Sequence, residues 1–121
     1  MEEILAQWKQ HRPTWSYELH DNYVVLTSSD KEHYNTLDFI ERSGVYWLIP
    51  EFKKAGKNTP IIVSSEQNIG VLFSSDYQKN VYLVKLKQAC QEMKISQFGK
   101  ILVLGNIEPK KAQEVLETVL A

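Results

Sequence analysis

The chain has 121 residues, 43% hydrophobic and 24% charged, with five Gly and four Pro. That composition excludes disordered, collagen-like and linker-dominated proteins and suits one globular domain over residues 1–121. Fourteen basic side chains face fifteen acidic ones, a net charge of −1, so the cationic surplus that duplex binding draws on is missing.

The densest basic pairs, Lys53–Lys54 and Lys110–Lys111, are short, and the other basic residues are interleaved with acids. Nucleic acid is therefore not the expected partner. Cys90 is the only cysteine, which leaves no internal disulfide and no cysteine-rich zinc site. Acids lead the N-terminus, and no apolar run approaches the roughly 18 residues of a membrane span. A cytoplasmic protein without membrane contact is the expectation.

In chain order, Glu2 to His11 reads as a short helix carrying Ile4, Leu5 and Trp8 and stopped by Pro13. Trp15, Tyr17 and Leu19 alternate with polar residues, the period of a half-buried strand. After the Asp21-Asn22 turn signal, Tyr23 to Thr27 is a second strand, and the two form an N-terminal hairpin. Ser29-Asp30-Lys31-Glu32 matches a capping box and predicts a helix from about Lys31 to Arg42, ending at Gly44. Val45 to Ala55 reads two ways: Val45 to Ile49 has strand propensity, while Pro50 to Gly56 looks like a short helix with proline in its first turn.

Ile61-Ile62-Val63 and Val71-Leu72-Phe73 flank the turn residues Gln67 to Gly70 and predict an antiparallel hairpin. Ser75 or Asp76 then caps a helix to about Lys94, whose apolar face is Leu83, Leu86, Cys90 and Met93. Lys100 to Leu104 is the last strand, and Pro109 opens a final helix with Val115, Leu116, Val119 and Leu120 aligned. The helix before the last strand would allow that strand to pair in parallel. The predicted class is α+β: a mixed, mainly antiparallel sheet packed against about four helices, with an α/β three-layer sandwich as the alternative.

Chemistry is thinly signalled. His11, His20 and His33 fall on different elements, without the paired spacing of a metal site, so no metal and no cofactor is expected. No serine occupies a G-x-S-x-G elbow, and Cys90 falls on an apolar helix face, so no catalytic residue is assigned and no enzyme is expected. Strand ends rich in Ser and Gly, notably Ser28, Ser29, Ser75 and Gly105, could expose backbone amides to a small ligand or anion. Their plainer role is capping and turning.

Nine of the thirteen aromatics lie within the first 52 residues. Tyr and Trp are enriched where proteins bind one another, because they bury area and still satisfy polar neighbours. The favoured expectation is thus a small non-enzymatic protein-binding module, an accessory subunit, regulator or immunity-type inhibitor. Its partner, another protein, would meet Trp15, Tyr17, Tyr46 and Trp47. The alternative is a small-ligand or anion-binding domain, possibly enzymatic, built on the strand-end Ser and Gly residues.

Overall fold

A computed structural model describes residues 1–32 and 34–121. The elements are α1 (Glu2–Gln10), β1 (Trp15–Leu19), β2 (Val24–Ser28), α2 (Thr36–Arg42), α3 (Val45–Lys54), β3 (Ile61–Ser64) and β4 (Ile69–Leu72). They continue with α4 (Asp76–Ala89), β5 (Lys94–Phe98), β6 (Ile101–Gly105) and α5 (Pro109–Leu120). One six-stranded sheet runs in the order β1-β2-β3-β4-β6-β5. Every neighbouring pair is antiparallel except β2–β3, which register in parallel from Val24↔Ile61 to Thr27↔Ser64. The class is α+β, with a mostly antiparallel sheet.

Strand alternation sorts the apolar side chains between two cores. Val24, Leu26, Ile61, Val63, Leu72 and Ile101 face α1, α2 and α3, where they meet Leu5, Trp8, Ile40, Leu48 and Phe52. Val25, Ile62, Ile69, Val71, Phe73, Leu102 and Leu104 face the other way, against Leu83, Leu86, Ala112, Leu116 and Leu120 of α4 and α5. Because β2, β3 and β4 are buried on both faces, they read as continuous apolar runs. Helices cover both faces, so the layering is that of a three-layer arrangement.

Several local expectations change, among them the turn over Gln67 to Gly70, of which Ile69 and Gly70 belong to β4. No helix begins at Lys31: Ser29 stays tied to the first hairpin, its N–H and its hydroxyl both donating to the Thr14 carbonyl at 2.9 and 3.1 Å. α2 starts five residues later, capped by Asn35, whose side chain accepts the Asp38 N–H at 2.9 Å; His33 lies outside the described residues. Val45 to Ile49 is helical, because Val45, Leu48 and Phe52 bury one face of α3 against the sheet. That burial overrides the β propensity of the branched and aromatic residues.

α4 ends at Ala89 instead of running to Lys94, and Lys94 to Phe98 forms the edge strand β5. Leu83, Leu86 and Met93 are buried, but Met93 gets there from a loop. The last strand, β6, is antiparallel to both of its neighbours. The parallel pair lies instead at β2–β3, where α2 and α3 supply the long crossover that parallel strands require. Five helices pack on the sheet among the described residues, in keeping with the about four expected.

Candidate functional site

The N-terminal aromatics divide sharply. Trp15 is 7% exposed and stacks on Phe39 at 5.2 Å. Trp8 meets Trp15 edge-on at 6.1 Å and Tyr17 at 6.4 Å. Trp15 is therefore a core residue, and Tyr17 is half-buried against the same core, with its hydroxyl 3.5 Å from Glu2 Oε2. Only Tyr46 and Trp47, 55% and 39% exposed, stand on the surface. The structure thus separates the four residues that the sequence grouped. Alternation along β1 put Trp15 and Tyr17 on the inward side, and α1 covers them.

Tyr46 and Trp47 occupy the first turn of α3, just after Gly44, whose φ of 79° lets α2 and α3 meet in a tight corner. The Trp8 indole N–H donates to the Ser43 carbonyl at that corner and fixes α1 beside it. Between α1 and α3 lies a groove of about 360 Å³ lined by Gln7, Trp8, His11, Arg12 and Trp47. Arg12 donates to the Trp8 carbonyl at 3.1 Å, and its guanidinium sits 5.6 Å from the Trp8 ring centre. No carboxylate pairs with Arg12 among the described residues. Neither Arg12 nor His11 is assigned to a binding face by the sequence, since only the helix pairing places them beside Trp47.

The strand-end serines also divide. Ser28, Ser29, Ser64 and Ser65 converge at the carboxyl ends of the parallel pair β2–β3, around an open cavity of about 680 Å³. The start of α5 closes it through Glu108, Pro109, Lys110 and Gln113. Carboxylates at Asp30, Glu66 and Glu108 stand against Lys31 and Lys110 in the lining. Ser28 Oγ accepts the Asp30 N–H at 3.1 Å, a turn interaction. Ser75 lies apart and caps α4 by accepting the Gln78 N–H at 3.1 Å, and Gly105 ends β6 without lining the cavity.

A third assembly went unseen in the sequence. His20 Nε2 lies 3.2 Å from Glu18 Oε2 and 3.9 Å from Glu117 Oε1. The Tyr23 hydroxyl donates to the same Glu117 oxygen at 3.0 Å, and its ring stacks on the imidazole at 4.4 Å. Burial, followed by the Glu117 hydrogen bond and the Glu117 and Glu18 charges, raises the Tyr23 hydroxyl above its ordinary 10.0. Glu18 and His20 share a face by strand alternation, but Glu117 is 97 residues further on, so no spacing rule connects them. What converges on His20 is a pair of carboxylates. Compared with known proteins, the chain matches no protein family, no curated protein and no solved structure.

Proposed function

We propose that the chain is a small non-enzymatic protein-binding module whose binding face is the α1–α3 groove. It would act as an accessory subunit, regulator or inhibitor of another protein. The supporting observation is the exposure of two adjacent aromatics, Tyr46 and Trp47, beside a groove that also presents Arg12. Trp, Tyr and Arg are the residue types that dominate binding hot spots. Arg12 has no acidic partner within the described chain, so the reading favours a partner offering an apolar anchor and a carboxylate. Trp15 and Tyr17 contribute by holding α1 in place rather than by touching the partner.

The test is affinity capture from lysate of the source organism with the wild type and with a Tyr46→Ala/Trp47→Ala variant, each checked for folding by circular dichroism. A stoichiometric protein held at moderate salt by the wild type and lost by the variant is expected. Equal retention by both would remove this face from the proposal. The cavity of about 680 Å³ at the strand ends favours a second reading, a small-ligand site. Stabilisation by a nucleotide or phosphorylated metabolite in a thermal-shift screen, together with an empty capture, would move the function there.

A further inference from the structure

We propose that Glu18, His20 and Glu117 form a binding site for a divalent transition-metal ion of the zinc class, clipping the first hairpin to the end of α5. One atom from each side chain lies within 4.8 Å of the others. Tetrahedral zinc with bonds of about 2.0–2.2 Å sets its ligand atoms roughly 3.3–3.6 Å apart. The measured separations from His20 Nε2, 3.2 and 3.9 Å, bracket that range. An imidazole with two carboxylates is a donor set for zinc, cobalt or nickel rather than for calcium, which takes oxygen alone. Three protein ligands leave a fourth position for water.

The scaffold and the local field support the same assignment. Glu18 pairs across the hairpin with Val25, a residue of the α4–α5 core, so Glu18 and His20, two residues on, project toward α5. Glu117 lies in the last turn of α5, where helix carbonyls already concentrate partial negative charge and no basic side chain offsets it. A carboxylate is disfavoured at that helix end, and Glu18 adds a second one. No lysine or arginine pairs with either carboxylate among the described residues. A bound dication would balance both carboxylates and the helix end. Tyr23 provides the outer support typical of metal sites, because its hydroxyl orients Glu117 and its ring fixes the plane of His20.

The experiment is calorimetric titration of the metal-free full chain with zinc chloride, paired with thermal melts. One zinc per chain is expected, with Tm raised by roughly 10 °C at about 100-fold the dissociation constant. His20→Ala and Glu18→Gln are each expected to weaken zinc by about tenfold or more. Glu18 is exposed, so the second variant keeps the fold even if His20→Ala does not. His11→Ala and Cys90→Ser are expected to bind as the wild type does. No zinc-dependent heat or melting shift would reduce the cluster to a set of hydrogen bonds and overturn the proposal. Affinity unchanged in Glu18→Gln and His20→Ala, or lost in His11→Ala or Cys90→Ser, would place the ion elsewhere and overturn it equally.

Discussion

Trp8 and Trp47 belong to helices of the same layer, and their neighbours decide opposite fates for them. Trp8 is buried because β1 sets Trp15 and Tyr17 edge-on to its ring and the Ser43 carbonyl accepts its indole proton. A buried indole needs that acceptor. Trp47 lies in the first turn of α3, three residues from Gly44, and stays 39% exposed. Tyr23 shows what burial does to a titratable group. Its folded-state hydroxyl is raised above 10.0 by burial first and by Glu117 second, so the native state holds the proton more tightly than the unfolded chain does. The stability this gives is complete below the unfolded value and is lost as pH climbs through the folded one. Urea denaturation of Tyr23→Phe between about pH 9 and 11 should therefore show a shallower alkaline loss than the wild type. Equal slopes would mean that Tyr23 does not carry the effect. Tyr34 is raised mainly by its 2.6 Å hydrogen bond to Glu32 and makes its own alkaline contribution in both proteins.

Two serine motifs of the same form behave differently as elements. Ser75-x-x-Gln78 caps α4, with Ser75 accepting the Gln78 N–H and the Gln78 side chain accepting the Ser74 N–H at 3.1 Å. Ser29-x-x-Glu32 does not cap, because pairing with Thr14 extends the hairpin past Ser28 and holds Ser29 in it. A cap is available only where the backbone is free to turn into a helix. Ser75→Ala should cost about 1 kcal/mol in chemical denaturation, within the range for a lost N-cap. A loss no larger than that of Ser29→Ala would show that the cap contributes nothing special. β5 is hidden in the sequence for a related reason. Its residues Lys94, Ser96 and Gln97 are polar, and Ile95 is only half-buried at the sheet edge, so the helical spacing of Cys90 and Met93 overran it.

At the scale of the molecule, β4 is the strand on which both layers close, and Gly70 is its tightest point. A Cβ at Gly70 would fall 2.5 Å from Ile40 Cδ1 of α2 and 3.1 Å from the Leu102 carbonyl of β6. Gly70→Ala should destabilise by about 1–3 kcal/mol, the usual range for overpacking. Ile40→Val, which lacks the δ methyl, should recover part of that loss in a double-mutant cycle. Additive losses would mean that α2 does not press on β4 at this point. α5 spans the opposite layer from end to end. Its start borders the strand-end cavity, and its last turn carries Glu117 to His20. Two candidate sites are thus tied to one helix, on the far side of the sheet from the aromatic groove.

Local information in the sequence determined most of the elements. Alternation marked β1, proline stopped α1 and opened α5, apolar runs marked β2, β3 and β4, and Ser75 announced α4. Each of these signals lies within a few residues of the structure that it specifies. The tertiary structure alone decided the helical state of Val45 to Ile49, the parallel pairing of β2 with β3, and which aromatics remained exposed. It also decided the meeting of Glu18, His20 and Glu117. All of these depend on which surface packs against which, and burial against a distant partner outweighs local propensity when the two disagree.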